Sequence, residues 1–386
     1  MKKWRIMGVV TYALFIDYLI YGLVVPLISH TPIGTMSESN MAQVYGSYAV
    51  GVLSATLLFG YVGDRLGHRR LMMIGVLLSA CGTLLFWWAP NYPLHMLARG
   101  LLGAASAGTW TAGLALVAER YRTKRVEMMG YALGGGTAGS IVGPLLGGLM
   151  FELGGYSLPF EVTGVLLALD VVLCFSLLPR DRPAMLASIP LRMLFSRGAI
   201  LVPAIAVMLA AFGWGIVEPL MPQRLTQLGA TPVTVGLTFT IATLAYGASA
   251  PLVSWTSRRL PIKRVVGGGA VAMAIFLATV GFAPDVILAS AALCLLSVSF
   301  AFTLNPASAE LGNAVDRLGI ACYAAVYAVY NIAYSIGMMA ANALASVVSE
   351  EIGFLYTLLT AGTVMLICSA FLLQKDLNAV MEPKNQ

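Results

Sequence analysis

Charge is scarce in this sequence. Of its 386 residues only 10% are Asp, Glu, Lys or Arg and 59% are hydrophobic, whereas a soluble domain carries roughly 25% charged residues. No water-soluble fold of this length could hide so much apolar surface, so the chain reads as a membrane protein. Histidine and cysteine are nearly as sparse. The three histidines (His30, His68, His95) are scattered and suggest no metal site. The five cysteines (Cys81, Cys174, Cys294, Cys322, Cys368) lie in apolar spans without a C-x-x-C and read as free thiols. There is no G-x-S-x-G, no Walker loop and no H-E-x-x-H, so neither an enzyme, nor an ATP-driven pump, nor a cofactor is expected.

Long apolar runs are what the sequence has instead. Spans of about 20 residues can be laid down at 6–28, 41–62, 71–89, 94–118, 127–151 and 159–178, then at 198–220, 234–255, 264–282, 285–309, 319–346 and 353–373. No small-residue cleavage site follows the first, which therefore reads as retained. Of the 23 Lys and Arg, 21 fall at the two ends or in the even-numbered connections; Arg224 is in an odd loop and Arg99 is inside the fourth span. That positive-inside bias places both termini in the cytoplasm. The net charge of +6 then reports topology and attraction to anionic lipid headgroups, with no nucleic-acid partner expected.

Residues 179–197, basic and proline-containing, read as a cytoplasmic linker between a half at 1–178 and a half at 198–386. A trace of repetition survives. "GYVGDRLGHRR" follows the second span and "SWTSRRLPIKR" the eighth, with Leu66 matching Leu260, Arg69 matching Lys263 and Arg70 matching Arg264, while Arg258 replaces Asp64. The expectation is an all-α polytopic protein of twelve transmembrane helices in two pseudo-symmetric six-helix halves, with a site near the midplane as in secondary transporters.

The first of these loops resembles the connection between helices 2 and 3 of the major facilitator superfamily. There Gly60 would allow close approach, and Asp64, Arg65, Arg69 and Arg70 would act as a charge latch. The fifth span contains "GGGTAGSIVGPLLGG", in which Gly135, Gly139, Gly143 and Gly147 recur every four residues and form a smooth packing seam. With Pro144 beside it, this pattern is similar to the helix-5 motif of that superfamily's proton-driven exporters. A generic packing seam is the plainer alternative.

A charge at the centre of a membrane helix costs ~2.5–3.5 kcal/mol on insertion scales, so each intramembrane ion calls for a reason. Asp17 sits in the first span with Tyr18 beside it and Tyr21 one turn on; it reads as facing a cavity, or as paired with Arg99. Glu218 precedes Pro219 late in the seventh span, where the helix should break; a snorkelling acid is the alternative. Asp170 and Glu161 are weaker candidates. In the eleventh span Tyr323, Tyr327, Tyr330 and Tyr334 share one face with Asn331 on its flank. Such a face is either core or, with carboxylates, a wall for an organic cation. Trp214, Tyr246 and Asn305 complete the candidate set.

These stretches together resemble the vesicular amine transporters and their bacterial drug-exporter relatives. The likeness implies exchange of protons for cationic amphiphilic amines by alternating access. It would place Asp17 at the amine, Glu218 at the helix-7 acid, Arg99 at the helix-4 arginine and Tyr246 in the pocket. Departures are visible: Asn331 stands where the family has an acid, Tyr48 where it has a lysine, and Arg224 where it has a tryptophan. No helix-10 acid is evident, Asn305 being the nearest polar residue, and residues 29–40 carry no N-x-[ST] acceptor. The picture is a monomeric bacterial inner-membrane antiporter with Gly139, Gly143, Pro144 and Gly147 in its conformational change. Two rivals remain, a proton-coupled exporter of neutral metabolites such as sugars and a membrane sensor that no longer transports.

Overall fold

The computed structural model describes residues 2–28, 37–121, 125–178, 198–317 and 323–373, and among them every regular element is helical. The linker at 179–197 lies outside the described residues. The helices are α1 (Lys2–Leu27), α2 (Glu38–Leu66), α3 (His68–Trp88), α4 (Tyr92–Arg120), α5 (Arg125–Gly154) and α6 (Ser157–Leu177). They continue with α7 (Gly198–Gly215), α8 (Val217–Gln227), α9 (Pro232–Ala248), α10 (Ala250–Arg259), α11 (Ile262–Phe282), α12 (Val286–Arg317) and α13 (Tyr323–Leu373).

Proline chemistry accounts for two interruptions. Pro219 has no N–H to offer the carbonyl of Gly215, and the seventh span divides there into α7 and α8. Pro251 does the same to Gly247, and the eighth span divides at Ser249 into α9 and α10. Among the described residues eleven stretches are long and apolar enough to cross a bilayer. One of them lies in α13, whose 51 residues contain a non-helical Gly353 at φ 80° and ψ 174°. At 1.5 Å per residue that length is about two and a half times the roughly 30 Å of hydrocarbon. It therefore supplies two crossings, and the chain is a twelve-span integral membrane protein.

The chain divides into two compact units, Met1–Ala187 with Gly229–Thr240, and Ser188–Leu228 with Ile241–Gln386. In the first unit α1 lies along α5, and α2 and α3 both pack on α4. Gly135, Gly139, Gly143 and Gly147 meet the backbone carbonyls of Thr11, Phe15, Leu19 and Leu23. Both series advance by four, so the two helices touch backbone to backbone over three turns. A Cβ at Gly143 would lie 2.7 Å from the Leu19 carbonyl oxygen, and one at Gly147 2.6 Å from that of Leu23. The seam is reciprocal, because a Cβ at Gly22 would lie 2.7 Å from Pro144 Cδ. The opposite face of α5 receives the start of α9, where Gly236 meets the Pro144 carbonyl and Thr240 Oγ1 donates to the Ile141 carbonyl at 2.8 Å.

In the second unit α13 packs on α7 and α11, and α12 on α11 and α7. Gly337 meets the Met208 carbonyl there, in the manner of the α1–α5 seam but at a single glycine.

Candidate functional site

In the first unit the centre is Asp17, midway along α1 and only 8% exposed. Ser106 Oγ of α4 donates to its Oδ2 at 2.6 Å, a short bond of the kind carboxylates accept. Arg99 stands seven residues earlier on α4, which is two turns along the same face. It makes no ion pair with Asp17, so the pairing that the sequence left open is not formed. Its guanidinium is fully buried, and none of its three nitrogens has a hydrogen-bond partner. Aromatic rings surround it instead. Tyr45, Tyr48 and Tyr21 place their centroids 4.7, 5.1 and 5.2 Å from its Cζ. Tyr48 thus serves as one wall of a cage.

Tyr18 turns the other way and packs on Trp110 at 5.6 Å between centroids, passing over Gly136. Asp170 of α6 is 2% exposed and accepts weakly from the Cys174 thiol at 3.7 Å, whereas Glu161 is exposed. One turn before Arg99, His95 is fully buried and donates from Nδ1 to the Asn91 carbonyl at 3.0 Å.

In the second unit Glu218 opens α8 directly after the break at Ile216 and is 4% exposed. Burial rules out the snorkelling alternative. Trp214 stacks on Phe300 at 5.5 Å, Tyr246 meets the same ring at 5.5 Å, and Tyr246 Oη donates to Asn305 Oδ1 at 2.6 Å. Tyr330 and Tyr334 stack at 5.9 Å with Asn331 half-buried between them in sequence. Trp214 and Tyr246, proposed from separate spans, therefore meet on a ring that the sequence did not single out, Phe300, and Asn305 joins them through Tyr246. Tyr327 lies outside the described side chains.

Two further residues escaped the sequence reading. Ser106 was one small polar residue in a run of alanines and glycines, and its register with Arg99 was the available signal. Glu310 was lost because the tenth span was ended at residue 309. The helix continues to Arg317, and Glu310 is 5% exposed and accepts from Asn313 at 3.2 Å. A window that counts apolar residues stops where the membrane stops, whereas the helix does not. Of the expected latch, Arg69 Nη2 donates to the Phe175 carbonyl at the end of α6 at 2.9 Å and Arg70 is exposed. Gly60, Asp64 and Arg65 fall in α2, and their surroundings lie outside what is described.

The sequence matches the model of the Major Facilitator Superfamily twice, over residues 10–204 and 203–385. The chain belongs to that superfamily. It is accordingly a transporter and not an enzyme. The rat (Rattus norvegicus) chromaffin granule amine transporter is 28% identical over 333 residues, 84% of this chain and 63% of the relative. A probable vesicular acetylcholine transporter-B of Danio rerio is 26% identical and covers 96% of this chain and 79% of its own. The chain thus spans less than two thirds of the rat relative's length. Among solved structures, a D-xylose–proton symporter aligns over 97% of this chain and 98% of its own with a TM-score of 0.71 at 18% identity. A nucleoside transporter aligns over 97% and 100% with a TM-score of 0.77 at 15% identity. Those likenesses show the twelve-helix fold.

Proposed function

We propose that the protein exports organic cations of the amphiphilic amine type in exchange for protons, by alternating access. The observation that carries this reading is the state of Asp17: buried at the middle of α1, held by one serine hydroxyl and not neutralised by the arginine of its own unit. A buried carboxyl with unused lone pairs has two natural partners, a proton and an ammonium group, and the two exclude each other. Competition for one group makes exchange obligatory, because each ligand biases the carrier only through its differential affinity for the two states.

Glu218, buried beside a broken helix, is the second proton-carrying acid in this reading. Within the second unit the Trp214, Tyr246 and Phe300 rings and the Tyr334 face offer apolar and cation–π surface of the kind that organic cations favour. Gly139, Gly143, Pro144 and Gly147 let α5 slide on α1 during the transition, with Asp64, Arg65, Arg69 and Arg70 as a cytoplasmic latch. The driving force is the proton gradient without a cofactor, in a monomer of a bacterial inner membrane with both termini cytoplasmic. The similarity to amine transporters supports the cargo class.

The test is uptake of labelled serotonin into proteoliposomes holding the purified protein under an imposed pH gradient, beside Asp17→Asn. Gradient-dependent uptake in the wild type and none in the variant is expected. Uptake that is equal in both sinks the role given to Asp17. Uptake of a neutral sugar in place of the amine transfers the reading to neutral metabolites.

A further inference from the structure

Arg99 presents five N–H donors. A guanidinium at zero exposure with no acceptor on any nitrogen is among the costliest arrangements a protein can hold, because the charge is desolvated and its donors are unmade. The three tyrosine rings offset part of that cost through their faces. They surround the Cζ atom and leave the guanidinium's N–H donors without an acceptor. Nor does either of the unit's buried acids among the described residues answer it. Asp17 takes its hydrogen bond from Ser106 and Asp170 takes one from Cys174, and neither is in ion-pair contact with Arg99. The unit therefore buries a carboxyl group on α1 and a guanidinium on α4 without an ion pair between them.

We propose that Arg99 is the binding site for a carboxylate-type anion, complementary to the ammonium site at Asp17. The fork of the guanidinium matches a carboxylate in bidentate geometry, and the tyrosine cage keeps that fork dry. The anion is carried either by the cargo itself, an amphoteric amine with its acid at the far end of the molecule, or by a free carboxylic acid that enters beside the amine. This rests on the reading of Asp17 as the ammonium site and narrows its substrate class.

The experiment uses the full-length protein in detergent, titrated calorimetrically with tryptamine, with 5-carboxytryptamine, and with tryptamine in the presence of acetate. If the cargo brings the anion, the wild type binds 5-carboxytryptamine about tenfold more tightly than tryptamine, the scale of one charge-assisted contact. That ratio falls to within about threefold in Arg99→Gln, and Arg99→Lys keeps part of it. If the anion is free, acetate tightens tryptamine binding and raises the melting temperature of the wild type, and neither effect occurs in Arg99→Gln. Absence of both preferences in the wild type overturns the site, as does a preference that survives undiminished in Arg99→Gln. Should Arg99→Gln not fold, the wild-type ratio and Arg99→Lys decide. A wild type that ignores tryptamine but is stabilised by acetate rejects the amine reading and keeps the anion site.

Discussion

At Gly75 the first unit brings α3 against the Oγ1 and backbone nitrogen of Thr109 on α4, and at Gly269 the second brings α11 against the same two atoms of Thr303 on α12. The same interval of 194 positions separates the two glycines and the two threonines, and it separates Gly143 from Gly337, each pressed on a carbonyl of the neighbouring helix. Packing has thus been kept where two backbones must touch. What the units bury has not been kept. At that interval Arg99 becomes Leu293, Ser106 becomes Phe300 and Gly139 becomes Ala333. The first unit invests its interior in ions, with Asp17, Arg99 and Asp170 all inside. In the second, α7 carries no ionisable side chain, an aromatic cluster of Trp214, Tyr246 and Phe300 stands inside, and the acids Glu218 and Glu310 sit toward helix breaks and ends. Close packing tolerates no change of volume, whereas a polar interior can be exchanged for an aromatic one once its partners change together.

The largest expected effect bears on that asymmetry. Asp17→Asn removes the one group that proton and ammonium share and reduces gradient-driven amine uptake to the level of empty liposomes. Glu218→Gln, in the aromatic unit, weakens uptake by about ten- to a hundredfold, the scale of one charge-assisted contact. Equal losses, measured as initial rates, break the claim that the first unit carries the exchange. Next, Ser106→Ala strips Asp17 of its bonded donor and costs about 1–3 kcal/mol of stability, read from the thermal midpoint in detergent. Phe300→Leu, at the corresponding place, costs about 1 kcal/mol.

The glycine seam gives a comparison of backbones. Gly139→Ala forces a Cβ into the Phe15 carbonyl and costs about 1–3 kcal/mol as overpacking. Ala333→Gly, at the matching position, costs about 1 kcal/mol through helix propensity. A Gly139→Ala protein as stable as wild type shows that α1 and α5 have room to part. The smallest effect is Tyr246→Phe, which breaks the 2.6 Å bond to Asn305 and costs about 0.5–1.5 kcal/mol. Its matching signal is weaker amine binding with unchanged gradient dependence.

Much of this was legible in the chain. The positions of the spans, the break beside Glu218 and the seam at Gly135 to Gly147 follow from hydropathy, from a missing N–H and from a period of four. Each is local. The candidates Trp214 and Tyr246 were chosen span by span, and the ring that unites them was invisible because Phe300 looks like any apolar residue of α12. Glu310 was hidden by the habit of ending a span at the membrane surface.

The sequence by itself determined the solvent, the number of crossings, the kinks and the helix pairs that must touch, because those depend on the composition and spacing of residues within one helix. Only the tertiary structure decided which charges meet. Asp17 and Arg99 could have been an ion pair as far as any spacing shows. It is the placing of Ser106 against one and of Tyr21, Tyr45 and Tyr48 around the other that keeps them apart. Those partners come from different helices, and no pattern within a single helix encodes the meeting of three.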